Sequence, residues 1–134
     1  MARILIIDDD EQIRSLLRSI LEDDGYEVAE AADGAEGVRS FRDAPGDLVI
    51  TNIFMPEKDG LETIRELRRE APDLPIIAVS GGSPRLRVNS TLRPNVLDAA
   101  RALGAVRTFG KPFDRRELSE AVRSLVARDA INTV

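Results

Sequence analysis

Unbroken apolar stretches of strand length alternate along this chain with stretches whose apolar residues recur every third or fourth position. Ile4-Leu5-Ile6-Ile7, Leu48-Val49-Ile50-Thr51 and Ile76-Ile77-Ala78-Val79 have the β-branched, continuous character of strands buried on both faces. Glu27-Val28-Ala29-Glu30-Ala31 is strand-like but only weakly apolar, which places it near a sheet edge, and Val106 to Phe109 is a further strand. Ile13, Leu16, Leu17, Ile20 and Leu21 give one apolar face to a helix from about Glu11 to Asp23, with Gly25 placed to end it. Ala35, Val38 and Phe41 mark a short second helix between Asp33-Gly34 and Pro45-Gly46, and Leu61, Ile64 and Leu67 a third that runs to Ala71-Pro72. Val96, Leu97, Ala100 and Leu103 mark a fourth, ended by Gly104. A fifth carries Leu118, Ala121, Val122 and Leu125 and opens on Asp114, with Glu117 completing a capping box. Ser83 to Pro94, polar and holding two prolines and three arginines, reads as a long loop, and Ala127 to Val134 as a fraying tail.

Strand and helix thus alternate five times with short links. Right-handed crossovers turn that pattern into an open parallel sheet with helices on both faces. The expected fold class is α/β, a flavodoxin-like (βα)5 doubly wound parallel sheet of strand order 2-1-3-4-5. One domain over residues 1–127 and a C-terminal tail over 128–134 are expected. In that order the ends of the first and third strands lie side by side at the switch point, where open α/β sheets place their sites. Asp8, Asp9, Asn52, Ser80 and Lys111 all follow or close strands at that end.

Composition narrows the chemistry. With 134 residues the chain is long enough for one real core and too short for two. It has no Cys and no His, which excludes disulfides, thiolate or imidazole metal sites, and Cys- or His-dependent catalysis. A formal net charge of −5 argues against nucleic acid as the main partner, so no direct DNA binding is expected. No apolar run approaches a membrane span, and Met1-Ala2-Arg3 leads straight into a strand rather than a signal peptide. A cytoplasmic domain working through carboxylate, hydroxyl, amide and lysine groups is what remains.

Two adjacent carboxylates, Asp8 and Asp9, suit a hard divalent ion such as Mg²⁺, which takes oxygen ligands at about 2.1 Å and keeps several waters. A hydroxyl and a lysine across from it would grip a phosphoryl group. The plainer alternative is that Asp8 to Glu11 only cap the first helix. Ser80 and Lys111, each closing another strand, count against it.

The motifs I-I-D-D after the first strand, D-L-V-I-T-N-I-F-M-P-E-K-D-G around the third, A-V-S-G after the fourth and K-P-F after the fifth resemble those of the receiver domain of bacterial two-component response regulators. The resemblance runs from about Arg3 to Ala127. It implies that Asp8 and Asp9 hold Mg²⁺ with the backbone carbonyl of Phe54, and that the Ser80 hydroxyl bonds a phosphoryl oxygen. It also implies that Lys111 pairs with the phosphoryl group and that Pro112 is a cis proline positioning that lysine. The partners implied are a histidine kinase or phosphotransferase, and a downstream protein met by the face of the fourth helix, fifth strand and fifth helix, with a weak homodimer in addition. Such a module is no enzyme beyond catalysing its own phosphotransfer and dephosphorylation.

Two positions depart from the family pattern. Asn52 stands at the phosphoacceptor position, where the family has aspartate. A carboxamide is a poor nucleophile, and its neutral oxygen should weaken Mg²⁺ binding. Asn52 reads as a deliberate change that holds the domain unphosphorylated, as a natural feature of a phosphorylation-independent pseudo-receiver, or as a site of slow deamidation. The intact Asp8, Asp9 and Lys111 favour the first. Thr108 replaces the Tyr or Phe whose rotamer reports activation in the family, with Phe109 as a partial substitute. The expectation is a single-domain receiver that accepts phosphoryl at position 52 only when that residue is Asp, and relays its signal by docking.

Rivals come from other classes. A haloacid-dehalogenase-like phosphatase would use Asp8-x-Asp10, Ser80 and Lys111, but no acidic pair follows a later strand, since Asp114 and Glu117 lie at a helix start. Gly81-Gly82 is too short for a nucleotide-phosphate cradle. Arg85, Arg87 and Arg93 are more simply solvated than docked on an acidic partner.

Overall fold

Each of the five strand-like stretches is a strand of one parallel sheet. The computed structural model describes residues 2–53, 60–80, 100–110 and 113–132. Along the chain it has β1 (Arg3–Ile7), α1 (Glu11–Asp23), β2 (Glu27–Ala31), α2 (Gly34–Asp43), β3 (Leu48–Asn52), α3 (Gly60–Glu70) and β4 (Ile76–Ser80). A helix α4, described over residues 100–103, then precedes β5 (Arg107–Gly110) and α5 (Arg115–Asn132). The sheet order is β2-β1-β3-β4-β5 with every neighbouring pair parallel. The weakly apolar β2 is indeed an edge strand, and β3 and β4, buried at every position, lie inside.

Strand alternation divides the core into two layers. Leu5, Ile7, Val49, Ile76 and Ala78 face Val38 and Phe41 of α2 and Ile64 and Leu67 of α3. Ile4, Ile6, Leu48, Ile50, Ile77 and Val79 face Leu17 and Leu21 of α1 and Leu118, Ala121 and Val122 of α5. The helices begin where acidic side chains can take up their free amides. Asp10 accepts from Gln12 N at 2.9 Å and opens α1. Asp33 accepts from Glu36 N at 2.8 Å while Glu36 returns to Ala32 N at 3.2 Å, a reciprocal cap on α2 that the Asp33-Gly34 punctuation did not reveal. Asp114 Oδ1 takes the amides of Arg116 and Glu117, as the capping pattern predicted. Gly25 (φ 94°) and Gly104 (φ 126°) turn the chain after α1 and α4 in a conformation that side chains disfavour. Arg68 fastens the second of these turns to α3: its guanidinium donates to Pro72 O and Gly104 O, both at 2.7 Å.

Some boundaries differ from the pattern. Helix α5 continues to Asn132, past Ala127 where a tail was expected, because Ala127, Arg128 and Ala130 favour helix and no Gly or Pro interrupts them. Asn52 and Ser80 are the last residues of their strands rather than the first beyond them, since the ladder runs on to pair Asn52 with Val79 and Ser80 with Gly110. The expected 83–94 loop, the Met55-Pro56 break and the start of the fourth helix lie outside the described residues.

Ile50 sits on a strand paired on both sides and is 1% exposed. Ile50→Ala should therefore cost about 2–5 kcal/mol, seen as a lower urea midpoint at unchanged m-value.

Candidate functional site

The periodicity that builds the core also builds the site. Ile4 and Ile6 on β1, and Leu48 and Ile50 on β3, share the layer beneath α1 and α5. One further step of two residues on each strand reaches Asp8 and Asn52. β1 and β3 are paired from Ile4↔Leu48 to Ile7↔Thr51, so both chains leave the apolar sheet at one level. Asp8 is held there by its amide bonded to Ala31 O at 3.1 Å, and its Oδ1 accepts from Asp10 N at 2.9 Å.

Asp8 is 2% exposed and Asn52 5%, whereas Asp9 lies at the open mouth. Asn52 Nδ2 donates to Asp9 Oδ1 at 3.2 Å. The opposite orientation of the amide would set two oxygens together, so Asp9 selects the one observed. Ser80 closes β4, buried at 3% exposure, in register with Gly110 at the end of β5. Asp8, Asp9, Asn52 and Ser80 are thus at one end of the sheet. Phe54, Lys111 and Pro112 lie outside the described residues.

Gly60 packs against the end of β3. Its amide bonds Ile53 O at 2.8 Å, and a Cβ there would stand 2.2 Å from Asn52 O and 2.5 Å from Ile53 Cα. Behind the pocket, Arg14 on α1 donates from Nη1 to Asp8 O at 2.7 Å and from Nε to Glu30 Oε1 at 3.1 Å. Arg18 donates to the other Glu30 oxygen and to Glu22 at 3.0 Å. The Arg18 hydrogen bond, and with it the charges of Arg18 and Arg14, hold the Glu30 carboxyl below its ordinary range despite partial burial. The sequence reading missed Gly60, Arg14 and Glu30. Their only signals were a glycine opening a helix and opposite charges on elements far apart in sequence.

At the other end of the site, Thr108 is half-buried in register with Ala78, and its Oγ1 accepts from Arg101 Nη2 at 3.3 Å. Phe109 cannot stand in for an aromatic there. Alternation sends it to the opposite layer, with Ile77 and Val79, where the Arg107 guanidinium lies 5.2 Å from its ring centroid.

A family model described as the response regulator receiver domain matches residues 4–123. The chain belongs to that family. The response regulator MprA of Mycobacterium sp. (strain KMS) is 37% identical over 126 residues, covering 94% of this chain and 51% of that protein. The transcriptional regulatory protein CpxR of Klebsiella pneumoniae subsp. pneumoniae (strain HS11286) is 33% identical over 128 residues, 96% of this chain and 50% of that protein. The receiver chain therefore spans about half the length of the curated relatives it matches. Among solved structures, a receiver domain protein of Clostridium thermocellum superposes with a TM-score of 0.83 at 30% identity, covering 98% of each chain. The response regulator TrrA of Thermotoga maritima, solved with Mg²⁺ and BeF, gives 0.77 at 35% identity over 93% of this chain and 99% of that one. A receiver is a signalling domain of two-component systems rather than an enzyme, and its flavodoxin-like sheet is the one found here.

Tested on its own residues, this receiver's pocket fits a hard divalent ion in part. Asp8 and Asp9 supply two carboxylates at a partly open mouth, the oxygen donors such an ion takes. The third residue is an amide that turns its N–H₂ toward Asp9, so it can offer its oxygen only by giving up that hydrogen bond.

Two predictions concern this framework. Gly60→Ala forces backbone apart, so it should destabilise by about 1–3 kcal/mol and shift the amide resonances of Asn52 and Ile53. Glu30 has a depressed folded-state pKa, so its contribution to stability is present above the unfolded carboxylate value of about 4.3 and is lost as pH falls through the folded one. Glu30→Gln should accordingly flatten the acid side of a plot of urea midpoint against pH.

Proposed function

We propose that this chain is the receiver of a two-component or phosphorelay pathway in which Asn52 occupies the acceptor position and keeps the domain unphosphorylated. The observation that carries the reading is the Asn52 Nδ2 to Asp9 Oδ1 bond of 3.2 Å. An aspartate at position 52 would bring a carboxylate against Asp9, and like charges at that separation favour a cation between them. An amide supplies a hydrogen-bond donor instead. It relieves the charge of Asp9 without an ion and leaves no carboxylate oxygen to attack phosphorus.

In the proposed site Asp8 and Asp9 are the residues that would hold Mg²⁺, with the backbone carbonyl of Phe54 as the family resemblance implies, and with affinity lowered by Asn52. When bound, the ion neutralises charge on a transferring phosphoryl group. With aspartate at 52, one carboxylate oxygen forms the new bond to phosphorus while the bond to the donor histidine nitrogen breaks. Ser80, buried at the end of β4, would donate to a phosphoryl oxygen, and Lys111 would offset its charge, with Pro112 positioning it as the family resemblance implies. Thr108, engaged by Arg101, would give a readout unlike that of an aromatic at this position.

The proposed partners are a histidine kinase or phosphotransferase upstream and a protein target downstream, met through α4, β5 and α5. Val106, apolar and 49% exposed beside β5, supports that face. A cytoplasmic setting suits the absence of cysteine, and among the described residues no helix is long and apolar enough to cross a membrane.

Incubation with acetyl phosphate and Mg²⁺, followed by intact mass measurement, tests the reading. The chain as it stands should gain nothing, and Asn52→Asp should gain one acid-stable, base-labile phosphoryl group. If Asn52→Asp gains none either, the phosphorylation-independent module replaces this proposal.

A further inference from the structure

The pocket residues of this receiver are held from behind by a bridge between α1 and β2. Arg14 is only 17% exposed in its side chain and makes two directed bonds, to Asp8 O at 2.7 Å and to Glu30 Oε1 at 3.1 Å. We propose that Arg14, braced by Glu30, is a positioning residue that fixes the Asp8–Asp9 peptide and thereby sets the divalent-cation affinity of the two carboxylates. The proposal rests on the reading that Asp8 and Asp9 hold such an ion.

Peptide planarity makes the bond effective. The Asp8 carbonyl and the Asp9 amide share one rigid plane, so a guanidinium that fixes the carbonyl also fixes the direction in which Asp9 leaves the strand. The Asp8 amide is already tied to Ala31 O of β2. β2 therefore holds Asp8 twice, through its backbone at Ala31 and, by way of Arg14, through Glu30. The first helical bond, Arg14 N to Asp10 O at 3.0 Å, places the same arginine directly above the turn it braces.

Charge alone would act the other way. A guanidinium beside two carboxylates opposes a cation, but Glu30 lies on Arg14 and offsets its charge, leaving the geometric effect. Arg18 is the natural comparison. It pairs with the same Glu30 and with Glu22 on the outer side, and makes no bond to Asp8 among those described. Lysine at 14 would keep the charge without the fork that reaches two acceptors at once.

The test titrates Mn²⁺ alone, followed by the electron paramagnetic resonance of the free ion, against the chain and its variants Arg14→Ala, Arg14→Lys, Arg18→Ala and Asp9→Ala. Amide hydrogen exchange at Asp8 and Asp10 is followed without metal, and thermal midpoints alongside. Arg14→Ala should weaken Mn²⁺ on the order of tenfold and speed exchange at both amides, and Arg14→Lys should restore neither. Arg18→Ala should leave affinity and exchange unchanged even where it lowers the midpoint as much. Equal effects from Arg14→Ala and Arg18→Ala would reduce Arg14 to a general stabiliser and overturn the proposal, as would no effect from Arg14→Ala. Binding that survives Asp9→Ala unchanged sinks the reading of the pocket itself, while the exchange rates still decide whether Arg14 positions the turn.

Discussion

The parallel pairing of β1 with β3 is the constraint on which the rest of the molecule depends. Four consecutive registers, from Ile4↔Leu48 to Ile7↔Thr51, align two largely apolar strands so that Asp8 and Asn52 follow at one height. Shifting that register by one residue would send every side chain of a strand to the wrong layer. With both layers filled by Ile, Leu and Val, such a slip would carry Asp8 into an apolar layer, away from Asn52, or expose the core. Hydrophobic burial therefore fixes, as a by-product, where a carboxylate and an amide meet.

What they do there is decided by electrostatics. Asp8 is buried yet held by the amide of Asp10, and Asp9 is open to solvent yet held by the amide of Asn52. Hydrogen-bond donors around carboxylates perform part of the task of a cation, because both lower the cost of keeping the charge out of water. In the proposed reading the amide at position 52 supplies by hydrogen bonding part of what an ion would supply to an acid there.

Arginines that reach main-chain carbonyls brace the sheet at its two ends, Arg14 beside the site and Arg68 at the opposite edge, where β4 and β5 begin. Arg14 ties the turn after β1 to α1 and β2, and Arg68 ties the turn before β5 to the end of α3. Guanidinium groups suit this because several donors in a rigid fork can serve carbonyls from separate segments. Between these ties, β5 carries Thr108 toward Arg101 and Phe109 into the opposite layer. Strand alternation thus separates two neighbours that a sequence reading treats as interchangeable.

The sequence alone determined the elements, their order and the cluster of polar residues at strand ends, because these follow from local periodicity and from the handedness of βα units. Ile4 to Ile7 followed by Asp8, and Leu48 to Thr51 followed by Asn52, could be read directly as strands that end in chemistry. Only the tertiary structure decided how those ends are held. Arg14 meets Glu30 across sixteen residues, and Asn52 meets Asp9 across forty-three. Gly60 is a glycine because the backbone at Asn52 and Ile53 leaves no room for a Cβ. The orientation of the Asn52 amide, the bracing of Asp8 and the commitment of Phe109 to the core each depend on a partner that chain spacing does not encode. Contacts of that kind arise from the closing of the sheet and its helices on one another, and a local pattern carries no trace of them.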